Sequence, residues 1–153
     1  MNFKFAIVAS LTCSFALAAP VPKELRKPSD HVLILGTWEV VSRGHGGKLE
    51  PHRHGNLCEF SEDKFVLSQM DHRLLIAGYK LFAGPARGPK QLDWTVGKLT
   101  CPGVYSLEGD TLTIALTIRP DAVRPTDVKP GEDLSFLVMK RKAAPKKQPA
   151  EQE

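Results

Sequence analysis

Residues 35–56, "LGTWEVVSRGHGGKLEPHRHGN", decide the fold: a strand-like run gives way to a loop holding three of the chain's 5 histidines. The front half, part of an apolar run from Ile34 to Ser42, reads as the first strand of an all-β domain. The back half places His45, His52 and His54 among glycine, proline and charge. The first half poses a question of fold, the second a question of metal chemistry.

Downstream, short apolar runs alternate with turn residues. Asn56 to Phe60 and Lys64 to Gln69 flank "SEDK", a hairpin signal. Leu74 to Phe82 follows, then Gln91 to Val96 after "GPARGPK". Gly103 to Leu107 and Thr111 to Ile118 flank "EGD", a second hairpin signal, and Leu134 to Arg141 closes the series. In "TLTIALTI", Leu112, Ile114, Leu116 and Ile118 share one face and Thr111, Thr113, Ala115 and Thr117 the other, the period of two that a strand with one wetter side shows. "LSFLVMK" is apolar on both faces, as expected where one flank of a closed barrel is covered, or in a sandwich. No long amphipathic helix can be drawn, which argues against α/β folds. The expectation is an antiparallel, up-and-down β-barrel of about eight strands over residues 33–142, with a β-sandwich as the alternative. Residues 119–133, with three prolines, form either a lid over one end or a long excursion.

Upstream, residues 1–18 read as a secretory signal peptide: Lys4, an apolar run from Phe5 to Leu17, and small residues at Ala16 and Ala18. The run is too short for a spanning helix. Cys13 follows Leu11 and Thr12 rather than small residues, which disfavours a lipid-anchored cysteine. Export to a secreted or periplasmic location is expected, with residues 19–32 as a linker. Without residues 1–18 the chain loses only Lys4 among its 21 basic and 17 acidic groups. The last fourteen residues, "KRKAAPKKQPAEQE", hold five bases and two acids, so residues 19–139 balance. The pI near 9.0 therefore comes from the end of the chain, and residues 143–153 read as a disordered basic tail. No basic stripe interleaved with aromatics suggests nucleic acid.

The opening Gly36-Thr37-Trp38, followed by antiparallel strands and a closing basic residue, resembles the lipocalin barrel signature. That resemblance implies that Trp38 fills the barrel floor, that Gly36 permits close backbone approach, and that a cation lies over the indole. Arg141 is the better candidate for the cation and Lys140 the second, because a guanidinium stacks on an aromatic face. Taken with "FSEDKFVL", "PGVYSLEGDTLTIAL" and "LSFLVMKRK", the chain resembles the lipocalin-like domain of unknown function found in secreted planctomycete-type bacterial proteins. In that family a "GTWEV" opening and a "GIYELDGDTL"-like hairpin recur. The resemblance spans about residues 33–142 and implies a fold and an export route, with no activity attached.

Three features carry chemistry. His52 and His54, as His-x-His on an extended segment, point to one face and can begin a zinc, copper or nickel site, with Glu50, Glu59 or His72 to complete it. Cys58 and Cys101 are either a disulfide, as an oxidising compartment allows, or two thiols on separate strands. No G-x-S-x-G elbow, His-paired cysteine or H-E-x-x-H helix recommends an enzyme or a cofactor. The expected function is a non-enzymatic binding module for a small apolar molecule, its interior lined by Phe65, Leu67, Tyr79, Trp94, Tyr105 and Phe136. A structural or interaction domain with a filled barrel and an extracytoplasmic metal binder are the alternatives.

Overall fold

A computed structural model describes residues 28–52, 55–70 and 72–143. The expected signal peptide over residues 1–18, most of the expected linker, the expected tail from residue 144, and His54 lie outside the described residues. A one-turn helix α1 (Asp30–Leu33) precedes nine strands: β1 (Gly36–His45), β2 (Lys48–Pro51), β3 (Leu57–Phe60), β4 (Lys64–Gln69), β5 (His72–Phe82), β6 (Lys90–Val96), β7 (Leu99–Glu108), β8 (Thr111–Thr117) and β9 (Leu134–Arg141). From β3 onward each strand pairs antiparallel with the next, and β9 returns to β1. The chain is thus a closed up-and-down barrel of eight strands with β2 added, a lipocalin-like architecture. No helix among the described residues is long and apolar enough to cross a membrane.

The extra strand was not foreseen, and a glycine pair explains it. Gly46 and Gly47 both take positive φ (57° and 74°), the geometry of a two-residue hairpin turn whose twist matches its strands. The chain folds straight back, so Lys48–Pro51 pairs with Ser42 to His45 instead of forming an open loop. β3 then pairs with Gly36 to Glu39 on the same side of β1. Val41 O accepts from His52 N and Asn56 O accepts from Val40 N, both at 2.9 Å. β2 and β3 therefore both lie along the side of β1 away from β9, and His52, just after β2, reaches the barrel's mouth.

A second irregularity sets which side chains enter the barrel. Between Val40 and Ser42 the β1–β9 register shifts by one residue. Because strand faces alternate strictly, one extra residue exchanges inside for outside. Trp38 and Val40 are buried in the core, whereas beyond the bulge Arg43 turns toward the lumen and Gly44 sits against Phe136 on the outer wall.

The two ends differ. At the closed end, α1 and Ile34 cover the floor, and Trp38 Nε1 donates to Ile34 O at 2.7 Å. The Asp30 carboxylate accepts from Lys90 Nζ at 2.6 Å and from the Tyr105 hydroxyl at 2.9 Å, tying α1 to β6 and β7. Above the floor the lumen is packed with rings: Phe60 meets Tyr79 edge-on at 5.3 Å, and Phe65 meets Trp94 edge-on at 4.2 Å. Four connections stand at the other end: β1–β2, β4–β5, β6–β7 and the long one from β8 to β9.

That long connection is an excursion along the outer wall. Arg124 Nη1 donates to Leu92 O and Gly103 O, each at 2.7 Å, and Nη2 pairs with Asp93 at 2.5 Å. Val128 and Leu134 cover an external cluster of Val104, Ala115 and Phe136. This covered flank explains why the last strand is apolar on both faces: Leu137 and Met139 fill the lumen, while Phe136 and Val138 lie under the strap.

Candidate functional site: a half-filled barrel with an open mouth

Since the closed half is packed, the free space lies in the mouth half, where a cavity of about 210 Å³ opens to solvent. Its apolar wall comes from Val40, Leu67, Leu75, Trp94, Leu116 and Leu137, one or more from most of the barrel strands. Its polar groups are Arg43, His52, Asn56, Thr117, Ser135 and Cys101. The volume is below the roughly 300–1,000 Å³ of drug-sized sites and equals about seven waters at roughly 30 Å³ each. The site suits a compact guest.

Two side chains of the lining, one from the apolar wall and one polar, each carry a buried polar atom without a partner among the described residues. Among the described residues, neither Trp94 Nε1 nor Asn56 Oδ1 makes a hydrogen bond, although Trp94 is 8 % and Asn56 7 % exposed. Orphaned polar atoms inside a protein cost about 1–3 kcal/mol each, so native structures seldom leave them unmatched. The other tryptophan shows the contrast, since the Trp38 indole has its acceptor at Ile34. Trp94 owes its position to the lumen-facing parity of β6 and its orientation to the Phe65 edge contact. Asn56, just before β3, accepts from Val40 N through its backbone carbonyl and lines the cavity. Arg43, exposed at the rim, forms no hydrogen bond or ion pair with any described residue.

The six expected lining residues fall into three places. Leu67 and Trp94 line the cavity. Phe65, Tyr79 and Tyr105 are fully or nearly buried in the packed half, with the Tyr79 hydroxyl donating to Ser61 O at 2.5 Å and that of Tyr105 to Asp30. Burial first, and then the Asp30 carboxylate, push the Tyr105 phenol above its ordinary range, so it stays a protonated strut. Phe136 is a correction: it belongs to the external cluster under the strap, because the parity that sends Leu137 and Met139 inward sends Phe136 outward. Arg43, Asn56, Leu75, Leu116, Leu137 and Cys101 were missed as lining residues. Period-two parity marked Leu116 and Leu137, but Arg43 is placed by a bulge and Asn56 lies outside any strand.

The structural signature is assembled at the floor. Arg141 Cζ lies 4.2 Å from the Trp38 ring centroid, and Gly36, at φ 111°, is where an added Cβ would stand 3.5 Å from Arg141 Nη1. Cys58 and Cys101 are not joined: each is a free thiol, Cys58 buried on β3 and Cys101 half-buried on β7 at the cavity. Burial pushes the Cys58 thiol up to about 12. His52 reaches the mouth, and no group of three metal-ligating side chains is gathered among the described residues.

A second hollow of about 520 Å³ lies at the closed end between α1 and the β5–β6 connection, bordered by Asp30, His31, Phe82, Pro85, Lys90 and Tyr105. Its Lys90 and Tyr105 both donate to Asp30, and it holds none of the orphaned buried side-chain atoms found among the described residues. The mouth cavity is therefore the stronger candidate. Comparison of the chain with protein-family models, curated proteins and solved structures gave no match.

Proposed function

We propose that this chain is an exported, lipocalin-like binding module that holds a compact, mainly apolar molecule in the mouth half of its barrel without transforming it. One observation carries the reading: Trp94 Nε1 and Asn56 Oδ1, both buried and unpartnered among the described residues, line a single apolar cavity. A guest with an apolar body and one polar group supplies the missing hydrogen bonds and removes apolar wall from water. The export part rests on the leader-like residues 1–18 and on the family resemblance; an exported chain whose mass begins at Ala19 would support it.

The test is calorimetric titration with hexanol, whose hydroxyl both donates and accepts. Wild-type protein binds it, and Ser135→Phe, which places a ring in the cavity, loses that binding while its circular dichroism stays that of a β-barrel. Equal binding by both proteins would place the guest elsewhere. The competing reading, a barrel whose purpose is purely structural, draws on the packed closed half and expects no binding at all.

A further inference from the structure

The cavity also has a chemical polarity, and this step rests on reading it as a ligand site. Trp94 Nε1–H can only donate. Arg43 at the rim is a permanent cation whose five N–H donors have no partner among the described residues. His52 lies beside it at the mouth, and the cavity lining contains no aspartate or glutamate. Asn56 carries both a donor and an acceptor, and a half-turn of its amide presents NH2 in place of Oδ1. Arg43 on β1 and Asn56 beside it thus border the cavity opposite Trp94 on β6, and no acidic side chain in the lining would repel an anion. A guest bearing a positive charge would meet Arg43 and find no counter-charge in the cavity lining.

We propose that the cavity selects small organic carboxylates: a carboxylate held by Arg43 at the rim and by the buried Trp94 and Asn56 donors, with a short-chain or single-ring apolar body against Val40, Leu75, Leu116 and Leu137. The bound carboxylate accepts charge-assisted hydrogen bonds, which are stronger than neutral ones and gain further from the low dielectric of a half-enclosed site. A volume of about 210 Å³ and a packed closed half restrict the body to a few carbons, since a long acyl chain has no room beyond Phe65 and Trp94.

Three probes of equal length separate the possibilities: hexanoate, hexanol and hexylamine, titrated calorimetrically at neutral pH into wild type and Arg43→Gln. Arg43 is exposed, so its replacement leaves the packed half untouched. Wild type binds hexanoate at least about tenfold tighter than hexanol, and hexylamine more weakly than either. In Arg43→Gln, hexanoate falls to within about threefold of hexanol while hexanol is unchanged. Hexanol or hexylamine binding as tightly as hexanoate would overturn the carboxylate inference and leave the cavity as a ligand site. Hexanoate preference that persists in Arg43→Gln overturns the assignment to Arg43. Binding of none of the three overturns both readings.

Discussion

Arg141 closes the barrel floor over Trp38. Its guanidinium sits 4.2 Å from the indole centroid, the two residues are register partners on β9 and β1, and its nitrogens donate to Leu35 O at 2.9 Å, to Leu33 O and to Asp110. A single side chain therefore joins the last strand, the first strand, the segment leading out of α1 and the β7–β8 turn. The barrel's first and last strands meet there, and the barrel has no free edge where they do.

Arg141→Lys tests how much the fork contributes. Lysine keeps the charge but loses the planar stacking and the divergent donors. A loss of about 1–3 kcal/mol in urea unfolding is expected, with hexanol binding at the far end retained. A loss under about 0.5 kcal/mol, the scale of an ordinary surface substitution, would make Arg141 a bystander.

The two thiols should separate by reactivity. Cys101 is half-buried at an open cavity, and Cys58 is enclosed on β3 with its thiolate suppressed by burial. Since the thiolate is the reactive form, of these two cysteines only Cys101 should carry an adduct in native protein treated with iodoacetamide, and Cys58 should label only after unfolding. A bound guest should slow the Cys101 reaction. Peptide mapping that finds native labelling at Cys58 contradicts the packing described.

Buried thiol and phenol groups also set an alkaline limit. In an unfolded chain Cys58 ionises near 9.0 and Tyr79 and Tyr105 near 10.0, whereas burial raises all three in the fold. The folded state then holds more protons than the unfolded, so stability falls as pH rises. Cys58 contributes fully below about pH 9 and loses its contribution between 9.0 and about 12. Urea midpoints should be level toward neutral pH and drop above about pH 9, by up to about 1.4 kcal/mol per pH unit for each proton released. Cys58→Ala should delay the fall to the tyrosine range; an unchanged onset would show that another group controls it.

Much of the architecture was legible because barrel strands obey a period of two. Leu112, Ile114 and Leu116 announced their shared face, and the double-sided apolarity of the last strand announced a covered flank that proved to be the strap held by Arg124 and Val128. The turn at Gly46-Gly47 carried the signal for β2, obscured because the histidines around it drew the reading toward a loop. The site was less legible for a physical reason. The bulge at Val41 reverses the alternation and brings Arg43 to the cavity, and Asn56 reaches it from outside any strand. Phe136 was misplaced inward because hydrophobicity alone does not distinguish a lumen from a covered outer wall.

The two tryptophans provide the most direct test of the cavity as a binding site. Their indole N–H groups report opposite environments: that of Trp38 is bonded to Ile34 O beneath the floor, and that of Trp94, a residue lining the cavity, is buried without a partner among the described residues. In a 15N-labelled sample, with the two signals assigned through Trp94→Phe, titration with hexanoate should move the Trp94 indole resonance progressively to saturation and leave that of Trp38 in place. A Trp94 resonance that stays fixed while the protein demonstrably binds the probe, or one that moves only together with Trp38, would contradict binding in the mouth of the barrel.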